Sequence, residues 1–339
     1  MTWKRSISPW SVRSPTNTFL PGETMDGILA VTYRCNAKCA MCHIWKYPSD
    51  KGKEITADAL STLPQMVRLN ITGGEPFIRG DLGGILDVVK KKAKRVVISS
   101  NGFLTQRTLQ VMRNHRDVGV RISFDGLGET HDAIRGVKNA HRKSLDTLVG
   151  LKDLGIKDLG IAVTISDRNA KDLVPLFELA EKYRVELATA VLHNAYYFRK
   201  EDNVIDGKAM VGEEIRKLKR AYLASPHPKN WFRAYFADGI IDHMKGKQRS
   251  MKCTMASDSF FVDPYGDVRP CNVMDLPFGN IKEKSFQEIW KSPEADEARK
   301  RVGCCQTNCW MIGSVGHLIR RSPWKPIGWI ASHKLGNTG

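Results

Sequence analysis

The chain has 339 residues, of which 42% are hydrophobic and 26% are charged, and its 53 Lys and Arg residues outnumber 36 Asp and Glu residues to give a net charge of +17. This composition is typical of a folded globular protein and excludes a disordered one. Eight cysteines in a chain of this length are too sparse for a disulfide scaffold. They indicate metal-binding or catalytic thiols in a reducing compartment, and we therefore expect a cytoplasmic protein.

The excess of positive charge is compatible with nucleic acid, an anionic membrane surface or an anionic substrate. Basic residues without an acidic neighbour collect in the tail over 311–339, which also has an amphipathic pattern. We expect this tail either to cap the core or to make peripheral contact with a membrane. The chain lacks a basic motif interleaved with aromatic residues, of the kind that stacks bases, which argues against nucleic acid.

Short apolar runs alternate with amphipathic stretches over most of the chain. The predicted strands are Ile28–Thr32, Leu69–Thr72, Val96–Ser99, Val120–Phe124, Gly160–Ile165 and Glu186–Leu192. The predicted helices are Thr56–Met66, Leu82–Ala93, Thr105–His115, Arg142–Leu154, Lys171–Tyr183 and Gly207–Leu223. This alternation predicts an α/β fold with a parallel sheet. Six units are too few for a complete eight-stranded barrel, so we expect a partial, TIM-like (β/α)6 barrel or a doubly wound sheet, with ligands at the carboxyl ends of the strands.

The same patterns divide the chain into five segments. We predict an N-terminal extension over 1–25, the partial barrel over 26–225, a bridging helix within 226–252, a small module over 253–310 and the basic tail over 311–339. The short turns and spaced cysteines of the small module indicate that it depends on a metal.

Three cysteines lie close together directly after the first predicted strand, at Cys35, Cys39 and Cys42. A closed zinc site needs four ligands, so this loop would have to borrow a distant fourth one. Three thiolates on one loop can instead hold three irons of a [4Fe-4S] cluster and leave the fourth iron open for chemistry.

A second motif, Gly73-Gly74-Glu75-Pro76, ends the second predicted strand. Two glycines let the backbone approach a ligand closely. Glu75 would then offer a carboxylate at the same face of the sheet as the cysteines. On its own, the motif could equally be a simple turn.

Together the two motifs resemble the radical S-adenosylmethionine (SAM) superfamily, over a stretch from Gly27 to about Leu223. The resemblance implies a partial barrel in which Cys35, Cys39 and Cys42 hold a [4Fe-4S] cluster whose open iron is chelated by SAM. It also implies that Gly73, Gly74 and Glu75 bind the methionyl ammonium of SAM, a charge-assisted contact. The remaining SAM contacts implied by the resemblance are Met41, Asn101, Ser123, Asp125 and Arg135. Met41 stands where the family usually has an aromatic residue, and it can still pack on an adenine face.

The family's chemistry sets the expected activity. One electron from the reduced cluster breaks a sulfur–carbon bond of SAM, and the resulting 5'-deoxyadenosyl radical abstracts hydrogen from a substrate. We therefore expect an oxygen-sensitive enzyme with a one-electron reductant such as flavodoxin or ferredoxin as its partner. Transfer of a SAM-derived 3-amino-3-carboxypropyl group is an alternative use of the same cofactors.

The cysteine spacing of the small module resembles the auxiliary-cluster domain called SPASM, or its shortened relative called twitch. Twelve residues separate Cys253 from Gly266, and four more precede Cys271. The resemblance implies a second, auxiliary [4Fe-4S] cluster. We expect its ligands to be Cys253, Cys271, Cys305 and Cys309, with a four-cysteine zinc site as the alternative. Cys304 is left over, either as a buried structural thiol or as a donor of hydrogen to a substrate radical in an epimerase.

The expected function is radical chemistry, whether oxidation, epimerisation or group transfer, on a small polar or anionic substrate that resembles a sugar or a headgroup. The end of the sixth predicted strand supplies candidate substrate contacts. They are His193, Asn194, Tyr196, Tyr197 and Arg199, of which Tyr196 and Arg199 are the principal candidates.

Two alternatives remain open. The first is a SPASM-type maturase of a ribosomal peptide, although fewer than thirty residues precede Ile28, which we expect to be too few for an added peptide-recognition domain. The second is a non-catalytic iron–sulfur carrier or a zinc-structured binding protein, which would have no need of the Gly73-Gly74-Glu75 motif.

Overall fold

The computed structural model describes residues 25–335, so the predicted N-terminal extension lies outside the described residues except for Met25. A single eight-stranded sheet runs in the order β6-β5-β4-β3-β2-β1-β7-β8. Its strands are β1 Asp26–Ala30, β2 Met66–Thr72, β3 Ala93–Ser100, β4 Gly119–Ser123, β5 Leu159–Ile165, β6 Glu186–Val191, β7 Ser259–Val262 and β8 Val268–Arg269. Strands β1 to β6 pair in parallel with their sequence neighbours, β7 pairs in parallel with β1, and β8 returns antiparallel to β7.

Helices follow the strands as the alternation predicts. They are α1 Ala57–Leu60, α2 Leu82–Val89, α3 Thr105–Met112, α4 Gly128–Arg135, α5 Ala140–Asp153, α6 Leu173–Tyr183, α7 Lys208–Ala224, α8 Pro228–Met244, α9 Phe286–Trp290, α10 Pro293–Gly303, α11 Ile312–Arg321 and α12 Trp324–Leu335. The structure confirms a mixed α/β fold built on a parallel sheet. Within the described residues the sheet ends at β6 on one side and at β8 on the other, so the barrel is partial.

Strand β3 shows that the two faces of the sheet have different environments. Val96 and Ile98 are buried in the main hydrophobic core, whereas Arg95, Val97 and Ser99 line a cavity on the other face. Successive side chains of a strand point to opposite faces. The concave face of the sheet is therefore a binding chamber, and the opposite face packs on the helices.

One predicted helix, Thr56–Met66, is wrong beyond its first turn. Helix α1 ends at Leu60, and Met66 already belongs to β2. Leu60, Leu63 and Met66 are all buried at a three-residue spacing, which mimics a helix in the sequence. Pro64 prevents the helix from continuing, because a proline disfavours helical geometry in the residue before it and lacks a backbone donor.

The basic tail forms two helices that pack against the rest of the chain. On α11, Val315 and His317 are buried, and Arg320 and Arg321 form ion pairs with Asp26 and Asp258. On α12, the indole Nε1 of Trp329 donates a hydrogen bond to Asp238 of α8 at 3.1 Å.

Trp324 and Ile327 remain exposed on the outer side of α12, so peripheral membrane contact through the tail stays a prediction. Across residues 25–335, no helix combines the length and the apolar character needed to cross a bilayer.

Candidate active site

A cavity of about 590 Å³ lies on the concave face of the sheet, and seven of the eight cysteines line it. They are Cys35, Cys39, Cys42, Cys253, Cys271, Cys305 and Cys309. The structure therefore brings the two predicted thiol sets, which are more than 200 residues apart in the sequence, to one chamber.

The first thiol set lies on a loop that neighbouring elements hold in place. The backbone amides of Lys38 and Ala40 donate to the carbonyl oxygens of Arg135 and Ile134, at 3.0 and 2.8 Å. From the end of β3, the side-chain amide of Asn101 donates to Asn36 at 2.7 Å. These contacts fix the loop before any cofactor binds.

The chemistry of these thiols fits a cationic cluster. Burial raises the pKa of Cys35 and of Cys42 to about 12, so both thiols stay protonated unless a nearby cation stabilises the thiolate. Iron supplies that charge, and metal binding releases the protons. Among the described residues, no three His, Cys, Asp or Glu side chains converge on a single-ion site. A [4Fe-4S] cluster needs a wider arrangement, since each thiolate binds a different iron.

The glycine pair after β2 packs directly beneath this loop. The amide of Gly74 donates to the carbonyl of Thr32 at 2.7 Å, and the amide of Glu75 donates to that of Arg34 at 2.9 Å. A Cβ atom at Gly73 would lie 2.4 Å from the Thr32 oxygen, and one at Gly74 would lie 2.2 Å from the Arg34 oxygen. Only glycine allows the two backbones to approach this closely.

We expect Gly74→Ala to destabilise the protein by about 2–3 kcal/mol and to weaken SAM binding, because the new methyl group must push the cysteine loop away from the end of β2. Gly84→Ala is the matched control, since nothing lies within 4 Å of a Cβ atom at this position in α2. The control should stabilise the protein by about 0.5–1 kcal/mol. Urea unfolding with SAM titration measures both effects, and equal behaviour of the two variants would contradict the packing described above.

The Glu75 carboxylate does not face the cavity, so the expectation that it lies at the mouth of the site was wrong. Its side chain is buried, with one oxygen accepting hydrogen bonds from Phe77 N and Ser100 Oγ and the other from Asn101 N. Burial raises its pKa to about 7, although these hydrogen bonds act in the opposite direction. Glu75 joins the ends of β2 and β3, and the cavity wall here is formed by Gly73 and Gly74.

Arg135 connects the cysteine loop to the end of β4. Its Nη2 atom lies 2.6 Å from Oδ2 of the fully buried Asp125, and its Nη1 atom donates to Sγ of Cys39 at 3.7 Å. Burial opposes the charged form of Arg135, but the charges of Asp125 and Cys39 outweigh it and raise the pKa of the guanidinium. His131, one turn before Arg135 on α4, accepts a hydrogen bond from the amide of Asp125 at 2.9 Å.

The other residues implied as SAM contacts divide into two groups. The cavity is lined by Met41, Gly73, Gly74, Asn101, Ser123 and Arg135. Glu75 and Asp125 lie behind that lining, and both are buried. Their side chains hold the wall in place through Ser100, Asn101 and Arg135.

The second thiol set flanks the hairpin of β7 and β8, with Cys253 before β7 and Cys271 after β8, and is completed by two cysteines in the segment after α10. Gly266 has a φ of +94° in the turn between the two strands, a conformation that favours glycine. Burial, together with the nearby thiols of Cys271, Cys305 and Cys253, raises the pKa of Cys309 to about 12. These four sulfur atoms are therefore electrostatic neighbours.

Cys304 is exposed at the end of α10, and it is absent from the cavity lining. The expectation of a buried structural thiol was wrong. Donation of hydrogen to a substrate radical stays a prediction, and the position of Cys304 outside the cavity lining does not favour it. Its neighbour Cys305 lines the cavity instead.

The predicted substrate contacts also divide. His193 and Tyr197 line the cavity, whereas Asn194, Tyr196 and Arg199 do not. Arg199 donates to the Tyr196 hydroxyl at 2.9 Å, and the Tyr196 ring also lies against the guanidinium of Arg269. The short 3-10 helix Tyr196–Phe198 buries Tyr197. Contact of Tyr196 and Arg199 with a substrate stays a prediction that the cavity lining does not favour.

The sequence did not single out three residues that line the cavity, namely Arg68, Arg95 and Arg121. Each is the third residue of its strand, in β2, β3 and β4. Arg68 and Arg95 therefore lie near the amino ends of their strands, and Arg121 lies at the middle of the short β4. The cysteine loop and Gly73 lie at the carboxyl ends. The available signal was an arginine near the start or the middle of three consecutive apolar strands.

Comparison with known proteins agrees with this geometry. The model of the radical SAM superfamily matches residues 29–180, and the model of the iron–sulfur cluster-binding SPASM domain matches residues 253–310. The chain belongs to the radical SAM superfamily and carries a SPASM domain toward its C-terminus. It is therefore an enzyme that uses a [4Fe-4S] cluster together with SAM, and its SPASM domain binds auxiliary iron–sulfur clusters. The alternatives of a non-catalytic carrier and a zinc-structured binding protein are overturned.

Among curated proteins, the chain is 28% identical over 313 residues to the antilisterial bacteriocin subtilosin biosynthesis protein AlbA of Bacillus subtilis, which covers 84% of this chain and 65% of AlbA. The chain thus spans just under two thirds of the length of that relative. It is 27% identical over 311 residues to an AdoMet-dependent heme synthase of Methanosarcina barkeri, covering 81% of this chain and 86% of the synthase.

Among solved structures, native anSMEcpe with bound AdoMet and Cp18Cys peptide matches with a TM-score of 0.62 at 15% identity, covering 90% of this chain and 98% of that one. At this level of identity, the likeness shows a shared fold.

Proposed function

We propose that this enzyme cleaves SAM reductively at a cluster held by Cys35, Cys39 and Cys42 and directs the resulting radical chemistry onto a substrate enclosed in the barrel. A second cluster is held by Cys253, Cys271, Cys305 and Cys309. The observation that carries the proposal is that both thiol sets line one cavity.

The chain's own residues prepare the SAM site. Gly73 and Gly74 form a wall that is free of side chains, and the Arg135 guanidinium offers a positive charge beside Cys39. The Tyr197 hydroxyl donates to the carbonyl oxygen of Gly73, which orients this part of the wall. When bound, the cluster supplies the electron that breaks a sulfur–carbon bond of SAM.

Net oxidation is the outcome that the geometry favours among oxidation, epimerisation and group transfer. Cys304, the candidate hydrogen donor for epimerisation, lies outside the cavity. The second thiol set lies on the cavity itself, where an auxiliary cluster supplies an electron acceptor. The partner that delivers the first electron is a one-electron reductant such as flavodoxin or ferredoxin, and a reducing cytoplasmic location suits eight unpaired thiols.

The size of the cavity supports a small substrate. The cavity of about 590 Å³ has to accommodate SAM and the two clusters as well as the substrate, so only part of this volume is left for the substrate. We propose a polar or anionic molecule that resembles a sugar or a headgroup. Maturation of a ribosomal peptide is the second candidate, favoured by the similarity to AlbA, a bacteriocin biosynthesis protein.

The proposed function is tested by reconstituting the protein under anoxic conditions, adding SAM and dithionite, and identifying all SAM-derived products by mass spectrometry. We expect 5'-deoxyadenosine. The appearance of methylthioadenosine would instead indicate 3-amino-3-carboxypropyl chemistry, and intact SAM after full cluster loading would contradict the proposal.

A further inference from the structure

The cavity has a charged floor at the end opposite the cysteine loop. Arg68, Arg95 and Arg121 line it from three adjacent strands. Asp26 of β1 lies opposite Arg68 in the strand register. The parallel register therefore places Asp26, Arg68 and Arg95 side by side. Arg121 of the next strand shares the Asp158 carboxylate with Arg95.

Most of these charges are already satisfied within the protein. Arg95 makes two contacts with Asp158, at 2.7 and 2.8 Å. Arg121 contacts Asp158 at 2.7 Å and Glu186 at 2.9 Å. Arg320 reaches in from α11 to form an ion pair with Asp26.

Arg68 is the exception. Within residues 25–335, its side chain makes no hydrogen bond and no ion pair, although it is only partly exposed and lines the cavity. Its register partner, Asp26, is engaged by Arg320 instead. Burial and the repulsion of Arg95 lower the pKa of Arg68 to about 10, so the guanidinium remains charged at neutral pH.

The charge balance of the floor favours an anion. Four guanidinium groups, from Arg68, Arg95, Arg121 and Arg320, share three carboxylates, from Asp26, Asp158 and Glu186. Glu186 is further neutralised by Arg233 and Lys229. A partly buried cation without a partner is costly unless a ligand pairs with it.

We propose that Arg68 is the anchor for an anionic group, a carboxylate or a phosphate, of the substrate that the barrel encloses. This inference rests on the proposed function, and it adds the substrate's orientation. A guanidinium binds such oxyanions through two parallel hydrogen bonds. The anion lies on the floor, and the reacting part of the molecule extends toward Gly73 and Cys39.

The strand length sets the reach of the substrate. Arg68 and Thr72 are four residues apart on β2, which corresponds to about 13 Å along the strand. Because SAM occupies part of the upper chamber, the anionic group and the reacting carbon are separated by somewhat less than this distance. The substrate is therefore elongated, with its charge at the end remote from the reaction.

Octanoate is a suitable probe, since it combines one carboxylate with an extended chain, and octanamide is its uncharged match. We expect calorimetric titration of the cluster-loaded protein with SAM present to show octanoate binding about tenfold or more tightly than octanamide. Equal binding of the two probes, or no binding of octanoate at millimolar concentration, would overturn the proposal.

Variants locate the anchor. Arg68→Met should weaken octanoate binding about tenfold or more. Arg68→Lys should retain part of the preference for octanoate over octanamide. Arg116→Met removes an exposed arginine and should leave the binding of both probes unchanged. If Arg68→Met fails to fold, the preference of the Arg68→Lys variant for octanoate over octanamide still tests the assignment. Undiminished octanoate binding by folded Arg68→Met would overturn the assignment.

Cleavage of SAM by dithionite, measured in the same samples, separates the two proposals. Arg116→Met should still produce 5'-deoxyadenosine without substrate, because this exposed arginine lies outside the cavity. If the wild-type protein cleaves SAM but shows no charge preference, the anion site is wrong and the enzymatic function stands. If it prefers octanoate but leaves SAM intact, the proposed function fails on its own.

Discussion

Cys39→Ala should reduce SAM cleavage to the background rate. Cys39 is the most buried thiol of its loop and the one that Arg135 contacts. Removal of its sulfur leaves two thiolates, which cannot hold a cluster that presents one open iron. Anaerobic assay of 5'-deoxyadenosine after reconstitution measures the effect.

The matched control is Cys304→Ala, which removes an exposed thiol outside the cavity. This variant should cleave SAM at the wild-type rate and form the same product from any substrate that is found. Loss of SAM cleavage in Cys304→Ala, or residual cleavage well above background in Cys39→Ala, would contradict the assignment of the two residues.

Arg135→Gln should destabilise the protein by about 3–5 kcal/mol, since it leaves the fully buried Asp125 carboxylate without its counter-ion. The same change removes the positive charge beside Cys39, so weaker SAM binding should accompany the loss of stability. Denaturant unfolding and SAM titration together measure the two effects.

Arg142→Gln provides the comparison, because Arg142 pairs with Asp146 at 2.9 Å on the exposed face of α5. Its free energy of unfolding should change by less than about 0.5 kcal/mol. The double variant Arg135→Gln with Asp125→Asn should recover part of the lost stability, since no buried charge is then left unpaired. Similar effects of the two single substitutions would show that the Asp125–Arg135 pair is not held in a buried site.

The motifs of this chain predicted the chemistry better than they predicted the directions of individual side chains. The Gly73-Gly74 pair indicated close approach of the backbone, and the structure shows that the approach is to the carbonyls of Thr32 and Arg34. Glu75 belongs to the same motif, yet its carboxylate points into the protein. A turn sequence does not specify which way its next side chain faces, because that depends on the neighbouring strand.

The direction of a side chain was also hard to predict for two pairs of adjacent residues, one after the sixth strand and one near the last cysteine. Tyr196 and Tyr197 follow each other, as do Cys304 and Cys305, and in each pair the second residue lines the cavity. The assignment of Cys305 was made by spacing and agrees with the cavity lining, whereas the preference for Tyr196 had no periodic pattern to support it. A shift of one residue along the chain decides whether a side chain lines the cavity, and the sequence composition does not show which of two neighbours does so.

The basic floor shows what only the folded sheet could provide. An arginine within an apolar strand is equally consistent with a solvent-facing position. Arg68, Arg95 and Arg121 therefore did not individually indicate a binding site. The parallel register aligns Arg68 with Arg95, and the curvature of the sheet turns this row inward. Part of the positive charge of the chain thereby becomes a feature of the binding chamber.

The central claim is that two clusters, held by separate thiol sets, serve one cavity. Mössbauer spectroscopy with iron and sulfide analysis of the reconstituted wild-type protein, Cys39→Ala and Cys271→Ala tests it most directly. We predict about eight irons per chain in the wild-type protein and about four in each variant, with SAM-induced spectral change retained only where the Cys35–Cys39–Cys42 set is intact. A wild-type protein that holds only about four irons, or a Cys271→Ala variant that keeps the full wild-type complement, would contradict the account.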